Sequence, residues 1–131
     1  MINLKALLRC VDSTGAQVVE CITVLGKKST HHAKVGDKIV CVVKQVKPAT
    51  ANSPNLVKKG EVCHGVLLRT KYGTPPRKNG MIVKFSDNAV ALINKNTGEP
   101  LGQKYDVNSN LIAREVETSF PKMAAVSDKK V

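Results

Sequence analysis

Four basic side chains lie between two apolar runs in the stretch GVLLRTKYGTPPRKNGMIVKF, residues 65–85. They are Arg69, Lys71, Arg77 and Lys78. A plain surface hairpin needs no such concentration of positive charge, whereas guanidinium and ammonium groups are natural partners of phosphate. The pattern therefore predicts an anion-binding loop, stiffened by its two prolines and held between two strands.

The positive charge of the whole chain is concentrated in the same region. The formal net charge is +11, from 21 Lys and Arg against 10 Asp and Glu. Residues 27–78 hold twelve of the cations but only Asp37 and Glu61 as anions, so this middle part carries +10 and the remainder +1. A one-sided charge of this size attracts a polyanion. Nucleic acid is the expected partner, and an anionic membrane surface is the alternative.

Further candidate contacts lie in other basic loops. The lysines that we expect to contact phosphate, if barrel closure brings their loops to the same side, are Lys27, Lys28, Lys34, Lys58 and Lys59. His31 and His32 lie in one of these loops, where they either donate to phosphate or are exposed polar filler.

Aromatic side chains are scarce, with no Trp, two Tyr and two Phe. Proteins that read single strands stack bases on aromatic rings. Since we expect Phe85 in the core, Tyr72 and Tyr105 are the only candidates for stacking. The deficit favours a protein that grips the backbone and shape of a folded RNA over one that reads splayed bases.

No constellation predicts catalysis. Residues 26–30, GKKST, resemble the end of a phosphate-binding loop, but Cys21 stands at its first glycine and Lys28 at its Ser/Thr. The three histidines show no spacing that favours a catalytic set, and a structural role is expected for His64. We therefore expect a protein that is not an enzyme and needs no cofactor or metal.

The four cysteines are Cys10, Cys21, Cys41 and Cys63, each inside an apolar stretch. No Cys-x-x-Cys pair occurs, although zinc ribbons draw ligands from such pairs. The sequence predicts buried thiols in a reducing compartment, with metal or redox roles as the less favoured alternatives.

Strand-like runs recur between turn signals. Alternation begins in residues 4–10, and further runs cover residues 18–25, 39–46, 61–68, 81–85 and 89–93. Gly36 and Gly60 precede two of the runs and permit the positive φ of a turn. Five or six short strands with brief connections predict a mainly β protein built as a small closed barrel.

The rest of the chain predicts loops and short helices in one domain. Residues 47–54, KPATANSP, read as an exposed loop or hairpin tip. Asn110 is a candidate cap for a helix that runs through Val116 and ends before Pro121, so one or two short C-terminal helices are expected. Residues 1–105 would form the barrel and 106–131 the tail. No apolar run approaches the length of a membrane span, and a soluble protein is expected.

The motifs also carry a family resemblance. One series of motifs consists of Gly65-Val66-Leu67-Leu68, ten residues, Asn79-Gly80, four residues, Phe85, two residues, Asn88, two residues and Ala91-Leu92. The series resembles the signature of the universal large-subunit ribosomal protein called L-fourteen. Supporting pieces are VDSTGA at 11–16, VGD at 35–37, VKKG at 57–60 and INKNTGEPLG at 93–102. The cysteines, the long 47–56 loop and the last of these motifs resemble the mitochondrial branch, with a bacterial or plastid ribosome as the alternative.

The resemblance implies a five-stranded β-barrel with a projecting β-ribbon and small C-terminal helices on the subunit-joining face. Its implied partners are large-subunit rRNA, small-subunit rRNA at an intersubunit bridge, the neighbouring ribosomal proteins L-three and L-nineteen, and the ribosome silencing factor. Carried onto this chain, it adds to the basic positions named above the candidate rRNA contacts Lys44, Thr70, Asn94, Lys95, Asn96 and Lys104.

Overall fold

The fold is seen in a computed structural model, which describes residues 2, 5–26, 32–48, 55–102, 105, 111–127 and 129–131. Five strands form the main sheet: β1 Leu7–Cys10, β2 Ala16–Val24, β3 Lys38–Val46, β4 Val62–Arg69 and β5 Ala89–Ile93. The C-terminal part adds β6 Leu111–Ile112, α1 Glu115–Ser119, α2 Pro121–Val126 and β7 Lys129–Lys130. No helix in these described ranges is long and apolar enough to cross a membrane.

The main sheet closes on itself in the order β1-β2-β3-β4-β5. Consecutive strands pair antiparallel, and β1 then pairs parallel with β5 through Arg9 opposite Ala89 and Cys10 opposite Val90. Closure leaves no free sheet edge, which is the physical advantage of a barrel over an open sheet. The predicted closed five-stranded barrel with two short C-terminal helices is confirmed.

Two apolar cores lie on the two faces of the sheet. The interior core takes side chains from all five strands, among them Leu8, Val19, Ile39, Leu67 and Leu92. The second core lies between the outer face of β4 and β5 and the C-terminal elements, and includes Val66, Leu68, Ala91, Val116 and Met123. Because β4 and β5 are covered on both faces, they read as nearly continuous apolar runs.

A buried carboxylate joins the β1–β2 turn to β5. Asp12 is 1% exposed. Its Oδ2 accepts a hydrogen bond from the Leu92 amide at 2.7 Å, and its Oδ1 accepts from the Thr14 hydroxyl at 2.6 Å and the Thr14 amide at 3.3 Å. Amide and hydroxyl donors replace the water that this charge loses on burial, so it can remain inside the protein.

All four cysteines are buried free thiols, as predicted. Cys41 lies directly opposite Cys21 on β2 and Cys63 on β4. Burial raises the pKa of all four thiols, and it raises that of Cys41 to about 12. The thiolate is the nucleophile and the metal ligand, so a raised pKa favours the neutral thiol, and all four side chains pack in the interior core.

One predicted strand and one predicted helix differ from the structure. Residues 81–85 form no regular strand, because the opposite limb contains Pro75 and Pro76, which have no N–H to donate. Leu111–Ile112 is a strand paired with Lys129–Lys130, and the helix begins only at Glu115. Extended backbone buries Ile112 in the second core and lets the Ala113 amide donate to the Leu68 carbonyl. The proposed cap Asn110 lies outside the described residues.

The predicted positive φ angles at Gly36 and Gly60 are confirmed. Gly36 has φ 86° and Gly60 has φ 84°, the left-handed conformation expected before β3 and β4. Of the predicted exposed loop 47–54, only Lys47 and Pro48 are described; both follow β3 outside any strand.

Replacing Asp12 with Ala should lower the free energy of unfolding by at least about 2 kcal/mol, because the Leu92 amide would be left buried without an acceptor. Urea denaturation measured by far-UV circular dichroism gives this quantity. The matched control is Asp37→Ala, since Asp37 accepts the Lys34 amide at 2.7 Å in an exposed turn. We expect the control to cost less than about 1 kcal/mol. Equal losses would show that Asp12 is an ordinary turn residue.

Candidate nucleic-acid interface

The strand directions divide the basic loops between two ends of the barrel. Since consecutive strands alternate in direction, the β2–β3 and β4–β5 connections lie at one end, here called the arm end. The β1–β2 and β3–β4 connections and the segment after β5 lie at the other, here called the far end. The condition that barrel closure brings all of these loops to the same side is therefore not met, because Lys34 lies at the arm end and Lys58 and Lys59 lie at the far end.

The arm end is named after residues 70–85, which form two extended limbs. The limbs are joined by main-chain hydrogen bonds from Phe85 to Thr70 at 3.1 Å, from Thr74 to Val83 at 2.9 Å and from Arg77 to Met81 at 3.1 Å. Successive bonds shift the register, because the limb with the two prolines holds more residues. The arm is thus a hydrogen-bonded hairpin without a regular strand ladder.

Lysines of two loops meet at the arm end. Lys34, from the β2–β3 connection, lines the same groove as Lys71 and Lys84 from the arm, and all three are exposed. Lys78 is exposed beside the tip of the arm, where a second groove also contains Arg114. Residues 27–31, with the predicted contacts Lys27, Lys28 and His31, lie outside the described residues. His32 is described and exposed.

The far end carries the second group. Lys58 and Lys59 are exposed in the turn before β4, where Glu61 Oε2 accepts the Lys58 amide at 2.9 Å. After β5, Asn94 Oδ1 accepts the Asn96 amide at 2.8 Å and so shapes the turn that exposes Lys95. Lys44, near the end of β3, is exposed and forms an ion pair with Glu20 at 3.4 Å. Lys104 lies outside the described residues.

Two of the predicted contacts are internal instead. Arg69 is only 5% exposed. Its Nε and Nη2 donate to the two carboxylate oxygens of Asp87 at 2.6 and 3.0 Å, and its Nη1 donates to the Leu111 carbonyl at 2.7 Å. Thr70 is fully buried, and its hydroxyl accepts the Gly73 amide at 3.1 Å. Both side chains stabilise the base of the arm. Arg69 does so through Asp87, because a buried guanidinium needs a carboxylate partner, and Thr70 does so through the Gly73 amide.

Arg77 connects the arm to the C-terminal segment. Its Nε donates to Glu115 Oε1 at 2.7 Å, and its Nη2 donates to Glu115 Oε2 at 3.3 Å and to the Val131 carbonyl at 2.7 Å. Two parallel bonds to one carboxylate fix the orientation of both side chains. Arg77 therefore stabilises the position of the arm, and only part of its guanidinium faces solvent.

The aromatic side chains have separate places. Tyr72 is exposed on the arm, whereas Tyr105 is buried and its hydroxyl donates to the Met123 carbonyl at 2.7 Å. Burial raises the pKa of Tyr105 well above its usual value. Tyr105 is thus excluded as a stacking residue, and Phe85 packs against the second core as expected.

His64 lies on β4 opposite Val40 and Ile93. Its Nδ1 is buried without a hydrogen-bond partner among the described residues. Burial, followed by the charges of Lys38 and Lys95, lowers its pKa, which favours the neutral imidazole. This surrounding fits the predicted structural role.

Some residues of the interface were missed by the sequence reasoning. Lys84 lies in the groove with Lys34, and its place in an apolar run between Val83 and Phe85 was the available signal. Asp87 orders Arg69 and forms an ion pair with Arg9 at 3.5 Å, which nothing in the spacing predicted.

Comparison with known proteins identifies the family. The family described as Ribosomal protein L14p/L23e matches residues 1–131. The chain belongs to this family. A Neurospora crassa protein named large ribosomal subunit protein uL14m is 42% identical over 110 residues, which is 79% of this chain and 81% of the relative. A Schizosaccharomyces pombe protein of the same name is 35% identical over the full length of both chains. The resemblance stated from the motifs is confirmed.

Family membership gives the two charged ends a setting. The chain is a ribosomal protein of a family whose members named above belong to the large subunit. Ribosomal proteins of this family are generally structural. In this chain the barrel and the internal ion pairs form the scaffold that positions the exposed lysines.

Acid titration tests the pair at the base of the arm. The hydrogen bonds from Arg69 are the main cause that holds the pKa of Asp87 below its usual value. A carboxylate of lowered pKa stabilises the fold above its unfolded-state pKa of about 3.9, and this stability is lost as the pH falls through the lower folded-state value. We expect Asp87→Asn to be less stable than the parent at pH 7 and the difference to shrink toward pH 3 in urea denaturation.

Glu99→Gln is the control for that experiment. Glu99 pairs with Lys122 at 2.6 Å on the exposed surface, where ion pairs contribute little. A constant deficit of Asp87→Asn from pH 7 to pH 3 would contradict the role given to the Asp87 charge.

Glu115→Gln should loosen the arm without unfolding the barrel. Loss of the charged, two-pronged bond to Arg77 is expected to speed hydrogen exchange at the Thr74 and Arg77 amides about fivefold, the equivalent of about 1 kcal/mol. Amide exchange followed by NMR measures this. Glu117→Gln, a change on the exposed side of the same helix, should leave the rates unchanged. Equal rates in both variants would show that the arm is held by other contacts.

Proposed function

We propose that this chain is a structural protein of the large subunit of the mitochondrial ribosome that grips folded rRNA with the basic loops at both ends of its barrel. The family match supports the ribosomal role, and the name of the two fungal relatives denotes the mitochondrial protein. The protein binds and positions RNA, and the proposal assigns it no reaction.

The observation that carries the proposal is the separation of internal from exposed cations. Arg69 is buried and forms an ion pair with Asp87, so it is not available to RNA. Four lysines are exposed at the ends of the barrel: Lys34, Lys71, Lys58 and Lys59. The backbone of these short, hydrogen-bonded loops is already ordered, so docking costs mainly the rotamer freedom of the lysine side chains and little backbone entropy.

The two ends contact different RNA segments in this proposal. A nine-residue strand such as β3 spans about 30 Å, which exceeds the Debye length of about 8 Å at physiological ionic strength. The lysines of one end therefore barely affect phosphates at the other. Two separate basic ends suit a protein that joins large-subunit rRNA at one end to small-subunit rRNA at an intersubunit bridge at the other.

Exposed apolar side chains away from the two ends are the candidate contacts with protein neighbours. On the outer face of β1, β2 and β4, Leu7, Ile22 and Val62 are 62%, 41% and 44% exposed. The C-terminal elements cover β4 and β5 but leave these side chains bare. Apolar exposed surface suits contact with another protein, and the neighbouring ribosomal proteins L-three and L-nineteen and the ribosome silencing factor are the proposed partners.

The contact lysines can be tested through the salt dependence of binding. Binding of protein-free large-subunit rRNA should weaken for the far-end double variant Lys58→Ala and Lys59→Ala, and for the arm-end double variant Lys71→Ala and Lys78→Ala. Each double variant should reduce the slope of log K against log salt by about 1.4 to 1.8, because each phosphate contact contributes about 0.7 to 0.9. Filter binding over a range of potassium chloride concentrations measures the slope.

Lys5→Glu is the matched control, since it changes the net charge by the same two units at an exposed position that the proposal does not use. It should leave the slope close to that of the parent. If both double variants behave like this control, the assigned lysines do not contact RNA.

The alternative function is a barrel-type protein interaction module whose positive charge serves an acidic protein partner. A second assay separates this function from rRNA binding. The tagged chain should co-sediment with large subunits after a high-salt wash, whereas a loosely tethered adaptor should be removed by that wash. Loss of the chain in the wash, with capture by an acidic protein, would favour the alternative.

A further inference from the structure

A groove of about 650 Å³ lies at the base of the arm and joins it to the β2–β3 connection. Its lining includes Lys34, Lys71, Tyr72, Pro75, Ile82 and Lys84. This volume falls within the range of about 300 to 1,000 Å³ that small-ligand sites occupy. The groove combines a flat ring and apolar side chains with three ammonium groups.

Apolar surface is left open to solvent in this groove. Tyr72 is 64% exposed and Ile82 is 50% exposed, although both are large side chains in a folded region. The other tyrosine of the chain is buried. Leaving a ring and aliphatic surface exposed to water costs free energy. This free energy is recovered when a partner covers the apolar surface.

The walls of the groove are fixed before any ligand arrives. The Thr74 amide donates to the Val83 carbonyl at 2.9 Å, and the Val83 amide donates to the Thr74 hydroxyl at 3.2 Å. Gly73 has φ 112°, and a Cβ at that position would lie 2.8 Å from Cγ2 of Ile82. The two limbs are thus packed against each other, and the neighbouring prolines restrict the backbone further.

The charges select the ligand. Lys34, Lys71 and Lys84 line the groove, and none of its lining residues is an acid. An anion with a flat face satisfies both the lysines and the ring, and a nucleotide has both parts. An acidic peptide would satisfy the lysines but would leave the ring face without a flat partner. A duplex hides its bases, so the base must be unpaired.

We propose that the groove holds one unpaired nucleotide of the bound RNA, with its base stacked on Tyr72 and its flanking phosphates paired with Lys34, Lys71 and Lys84. This inference rests on the proposed rRNA-binding function and adds a base contact to it. It also refines the expectation drawn from the scarcity of aromatic residues. The chain reads no run of splayed bases, yet its one exposed tyrosine accepts a single base.

The test uses a pair of RNA pentamers of equal charge. One carries a single adenine at its centre on a ribose-phosphate backbone that is otherwise abasic, and the other has no base. The full-length chain should bind the first about tenfold more tightly, within the range of about 5- to 150-fold for one stacked base. Fluorescence anisotropy of a dye at the 3′ end of each pentamer measures binding, so the readout is the same for the parent and for variants that lack Tyr72.

Variants at Tyr72 separate stacking from charge. Tyr72→Phe should keep the preference for the base, since the ring remains. Tyr72→Leu, similar in apolar character but without a ring, should abolish the preference and leave the weak binding of the abasic pentamer. Both changes lie at an exposed position, so circular dichroism should show the parent fold.

Three results would overturn the inference. They are equal binding of the two pentamers by the parent, an unchanged preference in Tyr72→Leu, and displacement of the pentamer by hexaglutamate at a lower concentration than by RNA. If one of these occurs while Lys58→Ala and Lys59→Ala still weaken salt-dependent rRNA binding, only the nucleotide groove is wrong. If the parent binds no rRNA at any salt concentration, the proposed function fails with it.

Discussion

The parallel pairing of β1 with β5 is the contact on which the rest of the structure depends. It closes the sheet, and closure decides which loops share an end of the barrel. Asp12 reinforces the closure by accepting the Leu92 amide inside the barrel. Without this pairing, the strands would form an open sheet with two bare edges, and neither group of basic loops would have a fixed position relative to the other.

Buried and exposed cations have different roles: buried arginine forms internal ion pairs, and lysine carries charge on the surface. A guanidinium can leave water when a carboxylate and a carbonyl take up its N–H groups, which is the situation of Arg69 with Asp87 and Leu111. A lysine ammonium is hydrated more strongly and remains outside, as Lys58, Lys71 and Lys84 do. Most of the exposed cations in the described part of the chain are therefore lysines, with Arg9 and Arg114 beside them, whereas Arg69 and Arg77 form ion pairs with Asp87 and Glu115.

The arm and the C-terminal segment depend on each other. The C-terminal elements cover the outer face of β4 and β5, and Arg77 ties the arm to Glu115 at the start of α1. One consequence is that the groove beside Tyr72 lies on a part of the arm whose two limbs are already joined by Thr74 and Val83. The hydrogen bonds between the two limbs therefore support the backbone that carries Tyr72.

Several features were determined by the sequence alone, because they depend on neighbours along the chain. The alternation of apolar residues predicted the barrel strands, Gly36 and Gly60 marked their turns, and the motifs from Gly65 to Leu92 identified the family. Only the tertiary structure decided what depends on distant partners. It buried Arg69 and Tyr105, divided the lysines between two ends, and made Leu111–Ile112 a strand. The physical reason is that burial, strand direction and ion pairing are set by residues far apart in sequence, which local patterns do not record.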